Sequence, residues 1–447
     1  MALHFHVDEI RELIQKGDYT GLSKMLKDSH PVDIAELFGE LEPQEYLNVF
    51  KHLEFSTARD VLEELDQEKI TFILTNIKPK YAALLIREMS SDEVADYLGM
   101  LPEGARQNFL HLLKQQDQKD IRALLSYPET SAGGRMTTDF IAFPKDMNAQ
   151  EALNKLAELA PDAEMIYYVY VVDHEGKLIG VLSLRDLVLS APDTTLDRIM
   201  YTDVKKVLAS QDQEEVTRLM EKYGFLALPV VDEEGVLLGI ITVDDVMDVV
   251  EEEATEDILK MAGTEEEIDP EKSSPWYRAR RRLPWILVAL FGEIVSGNVI
   301  KNFSEALQAL VALSFFIPLL MDMGGDVGTQ SAAIVVRGLA TGEIEPWDIW
   351  KNLLREIRVG VVLGIINGAI VGSIAYIWQG MPALGLVVGI SMVLNLTIAA
   401  FLGTFMPLMW NKLGRDPAVT SGPFVTTLLD IIGLFVYFST ARWILKL

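Results

Sequence analysis

The chain has 447 residues, enough for several domains, and its 66 acidic against 39 basic side chains give a formal net charge of −27. Yet 49% of its residues are hydrophobic and its mean hydropathy is positive, a combination that one uniform globular body does not produce. Scarce basic clusters argue against nucleic-acid binding, and the absence of cysteine excludes disulfides, thiolate metal sites and cysteine nucleophiles.

These facts fit a strongly acidic soluble half joined near Pro275 to an apolar half, and a polyanionic soluble part favours cations as ligands. The N-terminus, MALHFHVDEIRELI, has no basic region followed by an apolar core. No cleaved signal peptide is expected, and the first half is placed in the cytoplasm. From Val7 to about Ser126, apolar residues recur at helical spacing, as in Val61-Leu62-Leu65. Turn signals at His30-Pro31, Glu42-Pro43, Lys78-Pro79 and Leu101-Pro102 restart the helices. The related stretches ELFGELEPQEY, DVLEELDQEK and ADYLGMLPEG suggest degenerate helical hairpins wound into a superhelix. No catalytic pattern occurs here. Asp92 and Asp96, four apart, share one helix face, and spacing alone accounts for them as a solvated face.

The middle third repeats itself: VVDHEGKLIGVLSLRDLV from Val171 matches VVDEEGVLLGIITVDDVM from Val230. Each copy reads as strand, acidic-Gly turn, strand and helix start. Each follows an amphipathic helix (Ala149–Leu159 and Glu214–Tyr223) and, before that, an extended piece after Met136 or Met200. This tandem β-α-β-β-α unit, with Gly180-x-x-Ser183-x-x-Asp186 and Gly239-x-x-Thr242-x-x-Asp245, resembles the paired cystathionine-β-synthase (CBS) domains. The resemblance implies that hydroxyl and Asp meet an adenosine ribose, with ATP as one candidate ligand; many such pairs serve instead as interaction modules. Tyr168, Arg185 and Phe225 are further candidates for that cleft, a core or surface role being equally open.

Acids then crowd together: Asp244, Asp245, Asp248, Glu251, Glu252, Glu253, Glu256 and Asp257. Such a helix repels itself unless cations or basic partners offset it. A solvated linker helix is one reading; a divalent-cation sensor built from hard oxygen ligands is the other. The helix TEDILKMAGTEEEI, from Thr255, leads to the membrane entrance.

Five apolar runs follow: Leu283–Ile300, Ala306 to about Leu339, Val359–Trp378, Ala383–Met409 and Ala418–Leu445. Each supplies the roughly 20 residues a crossing requires. Arg278 with Arg280–Arg282, then Lys351, Arg355 and Arg358, then Lys412 and Arg415 alternate as cytoplasmic ends should, which puts Leu447 outside. In the second run, MDMGGDVGTQ with Gly324, Gly325 and Gly328 predicts local unwinding, a kink at Pro318, and carbonyl oxygens beside Asp322 and Asp326. Glu293 reads equally as a vestibule acid or as the partner of a helix-end Arg; Asn298, Asn367 and Asn395 read as interhelical hydrogen-bond partners. Gly360, Gly364 and Gly368 favour close helix approach. In the last run, DPAVTSGPFVTTLLDIIGLFVY, Asp430 sits in the middle of the apolar span. Thr426 and Thr427 lie one turn before it and Gly433 one turn after. A carboxylate there costs at least roughly 2.5–3.5 kcal/mol and normally faces a bundle interior or a water-filled path, which reads as a cation pathway.

The order of helical acidic segment, CBS pair, acidic connecting helix and five spans closing on DPAVTSGPFVTTLLDIIGLFVYF resembles the MgtE family of magnesium channels over essentially the whole chain. The resemblance implies a multidomain protein: an acidic superhelical domain (1–130), tandem CBS domains (131–253), a connecting plug helix and linker (254–275) and a five-helix pore domain (276–447). It implies a membrane-embedded homodimer in the cytoplasmic membrane, with the pore on its two-fold axis. Asp430 matches the family's pore acid and Asp416 the acid at the cytoplasmic mouth; Gly325, Asp326, Gly328, Thr426 and Thr427 go with the pore. Asp326 stands where the family usually carries Asn, a departure that bears on selectivity. Cytoplasmic Mg²⁺ would close the gate by bridging acids, for which Asp92, Asp96, Glu214, Asp245, Asp248, Glu253, Glu256 and Asp416 are the candidate ligands. Rival readings are a Mn²⁺ or Co²⁺ transporter and a membrane-anchored nucleotide sensor that moves no ion. No HExxH, GxSxG or phosphate-loop pattern occurs, so an enzyme is not expected.

Overall fold

The computed structural model describes residues 7–446 apart from 28, 102, 112, 161, 162, 265–273, 346 and 421. The chain divides into two units, Met1–Val249 and Val250–Leu447.

Prolines and short polar caps start the helices of the first unit. Pro31, Pro43 and Pro79 occupy first-turn positions, where a missing N–H is no loss, and the Asp18 and Asp66 side chains accept otherwise free N–H groups. Among the described residues ten short helices result, from Val7–Lys16 to Gln115–Leu124. Their apolar stripes close on a core that includes Ile34, Phe38, Phe50, Leu62, Ile73 and Leu85.

The internal repeat forms two three-stranded sheets. Strand β1 (Ala142–Pro144) runs parallel to β2 (Tyr168–Val172), which pairs antiparallel with β3 (Leu178–Ser183). Strands β4 (Val207–Leu208), β5 (Ala227–Val231) and β6 (Leu237–Thr242) follow the same plan. The Asp-x-x-Gly turns recur for a physical reason. Asp173 Oδ1 accepts from the N–H groups of Glu175 (2.8 Å) and Lys177 (2.9 Å), and Asp232 does the same for Glu234 and Val236. Gly176 and Gly235 then take φ values of +81° and +84°, open to glycine at no steric cost. The repeats exchange their entry segments: Thr137 bridges to Ile240 in the second copy, and Tyr201 to Val181 in the first. A Cβ on Gly239 would stand 2.6 Å from the Thr137 carbonyl oxygen, so the signature glycine makes room for that crossing.

Among the described residues of the second unit, five helical segments are long and apolar enough to cross a membrane: Pro275–Asn302, Val311–Ala340, Ile349–Gln379, Pro382–Lys412 and Ala418–Leu445. At about 1.5 Å per residue each exceeds a hydrocarbon layer of about 30 Å. The third and fourth are packed on glycine, as expected. A Cβ on Gly364 would lie 2.8 Å from Val393 Cα, and Gly360, Gly368 and Gly372 meet Ala400, Gly389 and Gly385.

The structure corrects the expected break in the second span. MDMGGDVGTQ is helical throughout, inside an uninterrupted helix from Ile317 to Ala340. The break falls earlier, where a short helix (Ser304–Ala309), extended Leu310 and a 3₁₀ turn (Val311–Phe316) precede it. Pro318 therefore sits in a first turn instead of kinking a helix. Gly324 and Gly328 serve packing: a Cβ on Gly324 would lie 2.7 Å from Asn395 Nδ2, and one on Gly328 would meet Leu429 and Val425. The true break is satisfied from the last helix, since the Tyr437 hydroxyl donates to the Leu313 carbonyl oxygen at 2.9 Å. The acidic stretch and the start of TEDILKMAGTEEEI form one connecting helix from Val243 to Met261, which ends sooner than expected because Ala262 and Gly263 turn. Residues 265–268 of the expected TEDILKMAGTEEEI helix lie outside the described residues.

Candidate functional site

Asp430 stands two turns into helix Pro423–Leu445 and is half-buried. Glycines set its neighbours. Gly292 of the first membrane helix lies hard against Thr427, and a Cβ on Gly325 would be 3.6 Å from the Thr426 methyl carbon. These contacts seat the first and second membrane helices one turn before Asp430. Glu293 and Asp322 are thereby brought within electrostatic reach of the Asp430 carboxyl. Of the two readings of Glu293, this places it beside Asp430. Asp322, Asp326 and Gln330, at helical spacing on one face, are all exposed, as is Glu293.

Other sequence candidates play humbler parts. The Thr426 and Thr427 hydroxyls both donate to the Pro423 carbonyl oxygen (3.1 and 2.6 Å), turning their hydrogens back on their own helix. Gly328 is buried by packing, and Gly325 lies in continuous helix with its carbonyl accepting from Thr329 Oγ1, so the expected unwound carbonyl ligands do not form. Of the three Asn residues, Asn395 reaches across, donating to the Leu320 carbonyl oxygen at 2.6 Å. Asn298 and Asn367 instead bond carbonyls of Ile294 and Leu363 in their own helices, a correction to the interhelical role expected of them.

Within the first unit, acids gather where the helical segment meets the repeat. Asp139 Oδ2 accepts from the Ser91 N–H (2.9 Å), and Ser91 Oγ accepts from the Thr138 N–H (2.8 Å), fixing the start of helix Ser91–Met100. Asp92 is then only 8% exposed, a buried acid rather than part of a solvated face, while Asp96 of the same helix is exposed. Burial, reinforced by the neighbouring Asp92, pushes the Asp245 carboxyl up to about 7. Burial pushes Glu93 up to about 9, with Glu63 and Asp92 adding to the effect. Asp92 and Asp139 are shifted the same way, again mainly by burial. Among the described residues, buried Asp92 Oδ1 and Glu93 Oε2 find no hydrogen-bond partner. Such a set calls for protons or for a cation. Glu214 pairs with Arg218 at 2.9 Å, and Asp248 is exposed.

In the second unit the end of the connecting helix docks on the turn that opens the last membrane helix. Asp416 Oδ1 accepts from the Ala418 N–H at 2.8 Å, shaping that turn, and Oδ2 is 2.6 Å from Lys260 Nζ. Lys260 also pairs with Glu256. Burial, with Asp416 adding to it, pushes Asp257 up to about 6, and the half-buried Glu253 contributes in the same direction. Among the described residues no group of three or more His, Asp or Glu side chains is arranged to hold a metal ion.

A cleft of about 620 Å³ opens beside the first repeat, lined by Tyr167, Tyr168, Ser183, Arg185, Val188 and Leu226 among others. Ser183 Oγ donates to Asp186 Oδ2 at 2.6 Å and accepts from the Asp186 N–H. The second copy repeats this pairing, Thr242 Oγ1 donating to Asp245 Oδ2, but Thr242 is 2% exposed and Asp245 faces the acids. Phe225 stacks on Tyr223 and packs on the core, leaving its neighbour Leu226 to line the cleft. Sequence reasoning missed Glu93, Asp139 and Lys260. Asp139 and Lys260 carried no periodic or motif signal, and Glu93 read as one more acid of a charged helix.

Three family models match successive parts of the chain: the MgtE intracellular N domain over residues 29–130, the CBS domain over 132–192 and 196–252, and the MgtE divalent cation transporter over 317–440. The magnesium transporter MgtE of Thermus thermophilus is 38% identical over 442 residues, 98% of each chain. That of Bacillus subtilis is 37% identical over 429 residues, 96% of this chain and 95% of the relative. Among solved structures, the cytosolic domain of the Mg²⁺ channel MgtE in complex with ATP is 41% identical with a TM-score of 0.52, covering 54% of this chain and 99% of that one. The soluble part of a magnesium transporter is 32% identical with a TM-score of 0.51, covering 56% and 98%.

Proposed function

Because the chain belongs to the MgtE family of magnesium transporters, we propose that it imports Mg²⁺ through a pore centred on Asp430 and closes when cytoplasmic Mg²⁺ fills its acidic sites. The observation that carries this reading is the meeting of Asp430, Glu293 and Asp322 from three membrane helices. Mg²⁺ keeps most of its waters, so a wide path with few carboxylates suits it, binding a partly hydrated ion yet letting it leave. One chain leaves Glu293, Asp322, Asp326 and Gln330 exposed on helices of membrane length. Polar groups at that depth belong against protein or water, which a second copy across a two-fold axis supplies. The N-terminus is cytoplasmic and the C-terminus outside on this reading, with Arg278, Arg280–Arg282, Lys351, Arg355, Arg358, Lys412 and Arg415 at the inner face.

Labour divides among residues 1–130 and 131–253 as sensor, 254–275 as gate and 276–447 as pore. Of the candidate regulatory ligands, Asp92 lies with Asp245, and Glu256 with Asp416; Asp96, Glu214, Asp248 and Glu253 complete the set. Mg²⁺ at these acids holds the domains together, and their repulsion opens the pore as Mg²⁺ falls. In proteoliposomes holding the full chain, Mg²⁺ influx reported by an internal indicator is expected to stop as Mg²⁺ on the cytosolic face rises. Flux that ignores cytosolic Mg²⁺, or none at low Mg²⁺, contradicts this reading. The extra carboxylates Asp322 and Asp326 favour, as a second reading, passage of Mn²⁺ or Co²⁺ as well, which competition during flux tests.

The cleft at Tyr168, Ser183 and Arg185, with Asp186 behind Ser183, is the expected seat for an adenosine nucleotide, the Arg185 guanidinium meeting its phosphates. Arg185→Ala should weaken ATP binding about tenfold in calorimetry, in line with the loss of one charge-assisted contact. Equal affinity in the variant removes Arg185 from the site.

A further inference from the structure

One polar side chain lies inside the membrane bundle without facing the path. Asn395, in the middle of the fourth membrane helix, is 2% exposed, whereas Asp322 is exposed and Asp430 half-buried. Its amide is wedged between the two helices that carry those acids. On the second membrane helix, Nδ2 donates to the Leu320 carbonyl oxygen at 2.6 Å, just before Asp322. A Cβ on Gly324, just after Asp322, would stand 2.7 Å from the same nitrogen. On the last membrane helix, a Cβ on Gly433, one turn after Asp430, would stand 2.7 Å from Oδ1. At both glycines the three atoms nearest such a Cβ all belong to Asn395, so each glycine makes room for this one amide.

Packing alone does not call for an amide here. Among the described residues, buried Asn395 Oδ1 finds no hydrogen-bond partner, a loss that a leucine of similar volume avoids. The amide has a direction that leucine lacks. Its bond to Leu320 fixes how the side chain points, and its oxygen end then sets how closely Gly433 approaches. One turn further along the second membrane helix, the same helices close directly, a Cβ on Gly328 meeting Leu429 and Val425. Asn395 is thus the spacer in the layer that holds the acids.

We infer that Asn395 is a positioning residue of the pore: its amide sets the spacing of the second and last membrane helices, and so the separation at which Asp322 and Asp430 face a passing cation. This deepens the reading of a pore centred on Asp430 and rests on it. The spacing decides how much of its hydration shell a divalent ion keeps between the two acids. It therefore governs the apparent affinity for Mg²⁺ and how well Mg²⁺ is told from Mn²⁺.

The test is Mg²⁺ influx into proteoliposomes holding the full chain, titrated with external Mg²⁺ in the presence and absence of Mn²⁺. Wild type is compared with Asn395→Leu, Asn395→Ala, Gly433→Ala and the double variant Asn395→Ala with Gly433→Ala. Half-saturating Mg²⁺ is expected to rise roughly tenfold in Asn395→Leu, as when a group that orients a metal ligand is lost, and inhibition by Mn²⁺ should change by a different factor. Gly433→Ala, whose new methyl meets Asn395 first, should raise half-saturating Mg²⁺ as well. Added to Asn395→Ala, which vacates that space, it should have no further effect. A merely structural Asn395 lowers the amount of active protein and scales all fluxes alike. Unchanged half-saturating Mg²⁺ and Mn²⁺ inhibition in Asn395→Leu therefore overturn the assignment. So do effects of Asn395→Ala and Gly433→Ala that simply multiply in the double variant, a comparison that decides even if Asn395→Leu does not fold. A wild type that carries no Mg²⁺, or undiminished influx in Asp430→Ala run alongside, strikes the underlying reading instead.

Discussion

Asp430→Asn is expected to lower Mg²⁺ influx at least about tenfold, and Asp430→Ala at least as much, in proteoliposomes where the variant keeps the fold and oligomeric state of the wild type. Asn matches the carboxylate in volume and keeps a hydrogen-bonding group beside Glu293, so the comparison isolates charge from packing. Asp430 is the half-buried member of the three acids, whereas Glu293 and Asp322 are exposed in a single chain. It therefore has the fixed position that a ring around a hydrated ion requires. Glu293→Gln should have a smaller effect, because Glu293, exposed in a single chain, acts on Asp430 through its charge. Undiminished flux in Asp430→Ala would place the path elsewhere, and an equal loss in Glu293→Gln would make the two acids one functional unit.

Much of this arrangement was legible in the sequence because it is carried by strong local patterns. Asp-x-x-Gly turns at fixed distances from Gly180 and Gly239 define both sheets, and an acid within an apolar run is conspicuous at Asp430. Register between helices left no such mark. Whether Gly324 and Gly325 unwind a helix or let one pack depends on what stands opposite. Asn395 and Thr426 stand there, on helices far along the chain, so the stretch stayed helical. The real break at Leu310 had no glycine or proline to announce it and is held by Tyr437, more than a hundred residues away.

The acidic sites show the same division. Charge density made the connecting helix visible, yet spacing alone assigned Asp92 to a solvated face. Its burial depends on Ser91 docking against Thr138 and Asp139, contacts made across separate segments of the chain. Lys260 was hidden for a simpler reason: one basic residue among many acids carries no periodic signal until Asp416 is brought to it.

With Mg²⁺ removed by chelator, the acidic first unit is expected to lose thermal stability as pH rises from about 5 to about 8, by on the order of 5 °C or more. Burial pushes Asp245 from an ordinary 3.8 up to about 7, and Glu93 from 4.5 up to about 9. An acid whose pKa is raised on folding favours the folded state fully while it is protonated in both states, below its unfolded pKa. That advantage is lost as pH climbs towards and through the folded value, because the unfolded chain sheds its proton first. The window for these two acids therefore runs from about 4 to about 9, and the slope is negative. Mg²⁺ binds the ionised carboxylates, so its stabilising effect should grow over the same window and offset the loss. In Asp92→Asn combined with Asp245→Asn, both the chelator slope and the Mg²⁺ effect should flatten, read by melting curves at several pH values. A positive slope in chelator would show that these buried acids are neutralised by some group other than a proton or a metal ion. A slope that survives in the double variant would move the sensing acids away from the junction between the helical segment and the repeat.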